Sequence, residues 1–119
     1  MTSNRAVFDE IRSIALTDIT DAYQPLVTAD SQGPFLFPMR LLHFVNNTNG
    51  DMMVSFDGIH DQVIITANTG VIYDITSDED YVESFRMSAY TQVYVKYISA
   101  PTTPADGAFY LACMYGLGE

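Results

Sequence analysis

The chain has 119 residues, and its 15 acidic side chains against five basic ones give a net charge of −10. This length predicts one domain with a single core. The acidity excludes proteins that recognise nucleic acid sequences through clustered Lys and Arg, and it excludes proteins that bind anionic membranes.

The composition also predicts a surface with few charged side chains. Hydrophobic residues make up 48% of the chain and charged ones only 17%, whereas soluble domains usually carry about 25% charged residues. This deficit predicts that part of the surface is buried against other subunits. No apolar run approaches the roughly 18 residues of a membrane span, so we expect a protein that is made in the cytoplasm and stays soluble or joins an assembly.

The N-terminal residues give two competing patterns. Four apolar residues fit one face of a helix, and these are Val7, Phe8, Ile11 and Ile14. They lead into an alternating pattern over residues 13–26, which predicts a strand or a pair of strands with a bulge near Thr17-Asp18. We therefore predict an N-terminal arm over residues 1–12 and a folded domain over residues 13–119.

Residues 26–38 are predicted to form a surface loop or an edge strand, because their prolines cannot donate to a central ladder. This stretch holds three consecutive large apolar residues, Phe35, Leu36 and Phe37. The three side chains cannot all face inward. Phe35 and Phe37 are therefore candidate contacts with a neighbouring subunit, and the alternative is an anchor in the chain's own core.

Residues 39–77 contain four short apolar runs separated by Asn, Asp and Gly, which favour tight turns. The runs are Arg40–Val45, Met52–Phe56, Gln62–Ala67 and Val71–Thr76. Their spacing predicts an antiparallel meander, in which consecutive strands pair. After the meander, four carboxylates between Ser77 and Glu83 predict a solvated loop.

Two more strands are predicted near the C-terminus. Thr91–Ile98 alternates between two faces, with Tyr94 on the face opposite to its valines. Ala108–Tyr115 is apolar on both faces, so one face has to meet either a second sheet or another chain. Tyr94, Tyr110 and Met114 are accordingly candidate subunit contacts.

These segments together predict an all-β fold, a single antiparallel β-sandwich of about 7–8 strands. A jelly-roll order is one arrangement that the pattern allows. Nothing in the chain reads as a βαβ unit, a repeat or a linker between domains.

Few side chains are suited to catalysis or metal binding. His43 and His60 are the two histidines, and neither comes with a serine nucleophile motif or a third metal ligand. Asp57 and Asp61 flank a tight turn, where carboxylates accept backbone N–H bonds. Cys113 is the one cysteine, which excludes an internal disulfide, and its apolar neighbours are typical of an inert packed thiol. We therefore predict no catalytic, cofactor-binding or metal-binding residues.

Five motifs follow one another along the chain. They are ITDAYQPL, PMRLLHFVNNTNGDMMVSFDG, HDQVIITANTGVIYDITS, TQVYVKYISAP and GAFYLACMYG. Their order resembles that of small structural proteins encoded among the particle genes of tailed bacteriophages. The resemblance spans residues 19–116, and its most specific part is residues 54–58, VSFDG, preceded by Asn46-Asn47-Thr48. Residues 34–38 and the acidic stretch depart from the pattern.

The resemblance implies a non-enzymatic structural component of the virion, made in the host bacterial cytoplasm, that packs in many copies without a cofactor. A symmetric ring at the head-to-tail junction, the neck, or in the upper tail is the first expectation, because an acidic wall lets DNA slide past. The implied partners are copies of the chain itself and other virion proteins, namely the portal, tail or major capsid protein. Neither a membrane nor a specific nucleic acid sequence is expected as a partner.

Three alternatives remain at this point. A capsid decoration or cement protein would use the same apolar patches. A carbohydrate- or receptor-binding module of a tail fibre would have its exposed aromatic side chains in one concave patch, whereas aromatic side chains along two opposite edges would favour assembly. A small jelly-roll hydrolase or isomerase would need His43, His60 and carboxylates to converge.

Overall fold

Nine strands and one 3-10 turn make up the secondary structure of residues 5–74, 90–98 and 107–117, the part of the chain that the computed structural model describes. The strands are β1 Arg5–Phe8, β2 Arg12–Ala15, β3 Gln24–Pro25, β4 Met39–Thr48, β5 Met52–Ser55, β6 Val63–Ile65, β7 Thr69–Asp74, β8 Tyr94–Tyr97 and β9 Gly107–Leu117. The 3-10 turn is Leu16–Asp18. The predicted acidic loop between Ser77 and Glu83 lies outside the described residues.

The strands form two antiparallel sheets. The first sheet has the order β1-β9-β4-β7, with β2 also paired to β9, and the second has the order β3-β8-β5-β6. Because β1 and β2 pair with successive parts of β9, residues 114–117 and 108–111, they share one strand position. Each sheet then has four strand positions. Along the chain, the β5–β6 hairpin of the second sheet lies between β4 and β7, which pair with each other in the first sheet. This nested pairing is the pattern of a jelly roll. The predicted all-β sandwich is confirmed.

The core fills the space between the two sheets. Its buried apolar side chains on the central strands are Leu42, Phe44, Met52, Val54, Val95, Phe109, Leu111 and Cys113. They occur at every second position of their strands, because successive side chains of a strand point to opposite faces. The predicted alternation of β8 and β9 between two faces is confirmed, and Tyr110 and Met114 lie on the outer face of β9.

The predicted meander is wrong in its pairing, although all four of its strands are present. Only β5 and β6 pair as chain neighbours, whereas β4 pairs with β7 and β9. The chain crosses to the second sheet between β4 and β5 and returns between β6 and β7. Two consecutive strands that each bury one face can pack across a core as readily as side by side, so the alternation alone does not select the pairing.

A buried amide explains where the chain crosses between sheets. Asn46 is 1% exposed, and its Nδ2 donates to the carbonyl oxygens of Gly50 and Ile65 at 2.9 Å and of Thr66 at 3.1 Å. Its Oδ1 accepts hydrogen bonds from the backbone N–H and the hydroxyl of Thr48. Asn46 thus joins the first crossing to the end of β6.

Residues 5–12 are not a separate arm, contrary to the prediction. Arg5–Phe8 pairs with β9 along four residues, and Arg12 begins β2 with only 1% of its surface exposed. The predicted bulge near Thr17-Asp18 is instead the 3-10 turn. The N-terminal residues join the first sheet because the long strand β9 offers an edge to two short strands in succession.

The start of β9 depends on a glycine. Gly107 has φ of +108°, and a Cβ built on it would lie 1.9 Å from the carbonyl oxygen of Asn47. Gly107→Ala is therefore expected to lower the free energy of unfolding by at least about 2 kcal/mol, measured by urea denaturation with far-UV circular dichroism. Gly116→Ala on the same strand is the control, because a Cβ there would meet the movable guanidinium of Arg40 at 3.1 Å. Equal stability of the two variants would contradict this account.

Candidate assembly surfaces

Exposed large apolar side chains lie mainly on two opposite sides of the sandwich. The β6–β7 side, formed by the last described strand of each sheet, carries Ile64, Ile72 and Tyr73. The β1–β2 side, which includes the loop of residues 33–38, carries Phe8, Ile11, Leu36, Phe37 and Tyr90. Of the large hydrophobic residues exposed in the described part of the chain, Ile59 of the β5–β6 turn and Tyr110 of β9 belong to neither side.

The β6–β7 side is built from strand ends of both sheets. Ile72 pairs with His43 and lies on the outer face of the first sheet, where 58% of its surface is exposed. Tyr73 points to the core side, and its ring meets Phe44 edge-on with centroids 6.1 Å apart, yet 39% of its surface is still exposed. Ile64 of β6 is 56% exposed on the second sheet. Apolar side chains on both faces of β7 and on β6 are therefore exposed to solvent.

On the β1–β2 side, Arg12 anchors the loop of residues 33–38 to the sandwich. Its guanidinium donates to the carbonyl oxygens of Gly33 at 2.7 Å and Pro34 at 3.2 Å, and it forms an ion pair of 2.8 Å with Asp9. It also lies over the ring of Phe35, 5.0 Å from the centroid. A buried charge requires such partners. The loop of residues 33–38 is consequently fixed against β2 as part of the sandwich.

The anchored loop presents aromatic groups to solvent. Phe37 stacks on Tyr115 with ring centroids 4.4 Å apart and an interplanar angle of 9°, and 40% of its surface remains exposed. Tyr90 is 76% exposed, and its backbone N–H donates to the carbonyl oxygen of Phe35. Phe8 pairs with Met114 on the outer face of β1 and is 74% exposed.

The outer face of the first sheet connects the two sides. Its central rows pair Leu41 with Met114, His43 with Ala112 and Val45 with Tyr110. None of these side chains is a carboxylate or a primary amine, whereas the whole chain carries a net charge of −10. The row of Leu41 continues to the carboxylate of Asp74 on β7, so the uncharged part of this face is limited to the central strands β4 and β9.

The five predicted contact residues fall in different places. Phe37 lies on the β1–β2 side, and Tyr110 and Met114 lie on the outer face of the first sheet. Tyr94 is half-buried on the second sheet with its ring beside Gly58. Phe35 is 0% exposed, so the prediction that it contacts another subunit is wrong, and the alternative of a core anchor holds.

Sequence reasoning missed Phe8, Ile59, Ile64 and Ile72 as exposed apolar residues. A signal was available for β7, because Val71, Ile72 and Tyr73 place large apolar groups on both faces of one strand. Such a strand is either central or covered from outside. Since β7 is the last strand of its sheet, its outward residue Ile72 is exposed.

Comparisons with known proteins do not assign a function to these surfaces. No family model, curated protein or solved structure matches the chain. Its function is therefore inferred from its own residues and their geometry.

The turn between β5 and β6 brings together a serine, an aspartate and a histidine, but not in a catalytic order. The Ser55 hydroxyl is buried and donates to Asp57 Oδ1 at 2.8 Å, and His60 Nδ1 lies 2.7 Å from the other Asp57 oxygen. A nucleophilic serine needs its hydrogen bond from the hydroxyl to the imidazole. His43 lies on the other sheet, so the two histidines do not converge.

Asp57 stabilises this turn, as predicted. Its Oδ1 also accepts the backbone N–H groups of Ile59 and His60, each at 2.8 Å. These bonds hold the pKa of the Asp57 carboxyl well below its ordinary value of 3.8. The backbone N–H of His60 has the largest effect, and the His60 ring has the next largest. Asp61 has a different role, since it accepts the Tyr23 hydroxyl and pairs with Lys96 at 3.3 Å.

The lowered pKa of Asp57 predicts a pH dependence of stability. A carboxyl whose pKa falls on folding stabilises the fold above its unfolded pKa, and this contribution is lost as the pH falls towards the folded value. Asp57→Asn is therefore expected to be less stable than the wild type at neutral pH, with a difference that shrinks below about pH 4. Urea denaturation at a series of pH values measures it, and parallel curves for both proteins would contradict it.

A cavity beside this turn offers little free binding capacity. It has a volume of about 290 Å³ and is lined by Asp21, Met53, Asp61, Lys96, Tyr97 and Ile98. The Lys96 ammonium lies 4.7 Å from the ring centroid of Tyr23, whose hydroxyl already donates to Asp61. The cation therefore covers one face of the Tyr23 ring.

The remaining chemistry of the described residues is limited. Cys113 is buried, and desolvation raises its pKa to about 12, which confirms the predicted inert thiol. In residues 5–74, 90–98 and 107–117, no group of three His, Cys, Asp or Glu side chains could hold a metal ion. The same ranges contain no helix with the length and apolar character needed to cross a membrane.

Proposed function

We propose that this protein is a non-enzymatic structural component of a tailed-phage particle that assembles as a symmetric ring at the head-to-tail junction or in the upper tail. One observation carries the proposal, which is that the exposed large apolar side chains lie on two opposite and different sides of the sandwich. A subunit with two different contact surfaces joins its neighbours head to tail. Such contacts form a ring when the rotation from each subunit to the next brings the last copy back to the first.

The energetics favour many copies over a pair. Association costs about 4–15 kcal/mol in lost translational and rotational freedom. Fully burying one large apolar side chain recovers about 1.5–3 kcal/mol, and each side carries three to five such side chains that are already partly covered. The free energy of one interface between two copies is therefore marginal, whereas each copy in a closed ring forms two such interfaces.

The charge of the chain suits a position next to DNA. A net charge of −10 repels the phosphate backbone, so DNA would pass an inner wall of this composition without adhering to it. The proposed partners in the particle are other copies and the portal, tail or major capsid protein.

The geometry favours assembly over a tail-fibre binding module. Among the described residues, the exposed aromatic side chains do not share one patch: Phe8, Phe37 and Tyr90 lie on the β1–β2 side, Tyr73 lies on the β6–β7 side, and Tyr110 lies on the outer face of the first sheet. A capsid decoration protein would use the same two sides, so its position in the particle has to be measured.

Particles produced by the bacterium that carries the gene provide the test. Peptide mass spectrometry of purified particles is expected to detect the chain at a constant ratio to the portal protein, and electron cryomicroscopy is expected to show a ring of sandwich density at the neck or upper tail. Density on the capsid surface would instead identify a decoration protein. Loss of the chain during particle purification would contradict the structural role altogether.

A further inference from the structure

Arg40 is a half-buried basic residue near the start of β4. Its Nε is shielded from solvent, and in residues 5–74, 90–98 and 107–117 the guanidinium has neither a hydrogen-bond acceptor nor a carboxylate partner. The two other Lys or Arg side chains that the structure describes, Arg12 and Lys96, are each paired with a carboxylate. A donor that loses its hydrogen bonds to water and gains no acceptor costs free energy, so the single chain leaves the desolvation of Arg40 uncompensated.

The backbone around Arg40 places its guanidinium against the end of β9. The register of β4 against β9 shifts between Met39 and Leu41, so Arg40 is the extra residue of a β-bulge, a feature that often re-aims a side chain. A Cβ built on Gly116 would lie 3.1 Å from Nη1 and 3.4 Å from Cδ of Arg40. The guanidinium therefore lies along the backbone of β9, where the missing side chain of Gly116 leaves room for it.

Arg40 also borders the β1–β2 side. Gly116, which lies next to the guanidinium, pairs with Ala6 of β1. The preceding residue of β9, Tyr115, carries the stacked ring of Phe37, which belongs to that side and is 40% exposed. A partner that covers these apolar groups would exclude water from the region of Arg40, which strengthens any hydrogen bond that the guanidinium forms there.

The guanidinium and the charge of the chain indicate what the partner supplies. The nitrogens of arginine donate in a fixed fork that fits the two oxygens of a carboxylate. A phosphate fits the same fork, but a net charge of −10 repels the phosphates of DNA. Another copy of the chain brings carboxylates in excess, since it has 15 acidic side chains against five basic ones. Charge complementarity therefore favours a carboxylate of a second copy.

We propose that Arg40 is a polar anchor of the contact between copies, and that it binds a carboxylate of the next copy at the border of the β1–β2 side. This inference rests on the proposed function, since it names a residue that joins the subunits of the ring. It gives Arg40 a role in assembly that is separate from the folding of the single chain.

Two glutamine variants test this role by sedimentation velocity of the full chain from micromolar to millimolar concentration. Arg40→Gln and Lys96→Gln each remove one positive charge, and Lys96 lies on β8 in the interior of the second sheet, away from both sides. The wild type and Lys96→Gln are expected to form the same oligomer. Arg40→Gln is expected to associate at least about tenfold more weakly, because it removes the cation of a charged hydrogen bond at the interface. Far-UV circular dichroism is expected to show that both variants are folded.

A cross-link identifies the group that Arg40 binds. Arg40→Lys places a primary amine at this position, and a carbodiimide joins such an amine to a carboxylate in contact with it. In a mixture of isotope-labelled and unlabelled chains, mass spectrometry is expected to find residue 40 joined to an Asp or Glu of another copy. Lys96 provides the internal comparison, because its ammonium lies 3.3 Å from Asp61 of the same chain and is expected to cross-link within one chain.

Three results would overturn the inference. They are equal association of Arg40→Gln and Lys96→Gln, a wild type that is monomeric at millimolar concentration, and cross-links from residue 40 that stay within one chain. The proposed function fails separately, if the chain is missing from purified particles.

Discussion

Arg12→Ala is expected to lower the free energy of unfolding by about 3–5 kcal/mol, the usual cost of breaking a buried ionic network by removing one partner. The substitution leaves the carbonyl oxygens of Gly33 and Pro34 without their donor and Asp9 without its cation. It also opens a gap over the ring of Phe35. Urea denaturation followed by far-UV circular dichroism measures the loss.

Two further variants test whether the network, and not arginine in general, is responsible. Arg40→Ala removes a half-buried arginine whose Nε has no hydrogen-bond partner among the described residues, and it is expected to cost less than about 1 kcal/mol. Arg12→Lys keeps the charge but cannot reach both carbonyls and Asp9 with a fork of donors, so it should fall between the wild type and Arg12→Ala. A loss below about 1 kcal/mol for Arg12→Ala would contradict the role of this residue.

Asn46→Asp is expected to lower the free energy of unfolding by about 3 kcal/mol at neutral pH, although it barely changes the shape of the side chain. The amide nitrogen of Asn46 donates to three carbonyl oxygens. A carboxylate oxygen in its place would face those oxygens without a proton, in a position that is 1% exposed. A buried charge without a donor is among the most costly substitutions.

The neighbouring residue provides the control for Asn46. Asn47→Asp makes the same chemical change on the exposed face of β4 and is expected to cost less than about 0.5 kcal/mol. For Asn46→Asp, burial favours the protonated acid, so its stability should recover as the pH falls from neutral towards about 4. Similar losses for the two variants at neutral pH would contradict the role of the buried amide.

The positions of the strands could be predicted from the sequence better than their pairing. Alternation over Val93–Tyr97 and Phe109–Tyr115 identifies β8 and β9 and the side chains that share a face, because period two is a local property of a strand. Pairing is not local. The crossing between β4 and β5 depends on Asn46 reaching carbonyl groups about 20 residues away, and no turn signature distinguishes that arrangement from a hairpin.

The assembly surfaces were harder to predict for the same reason. Phe35 and Phe37 are two residues apart in one loop, yet Phe35 is buried under Arg12 and Phe37 is exposed beside Tyr115. Which of them faces solvent depends on Arg12, whose contacts with the loop lie more than 20 residues away in the chain. The exposure of Ile72 likewise depends on β7 being an edge strand, which is a property of the sheet order.

The measured mass of the purified chain in solution tests the central claim most directly. Light scattering across a concentration series is expected to show one closed oligomer, whose mass is a fixed multiple of 13.2 kDa and does not increase further with concentration. A ring predicts this plateau because closure uses every contact surface. A monomer at every concentration, or a mass that rises without limit, would contradict assembly through two opposite sides.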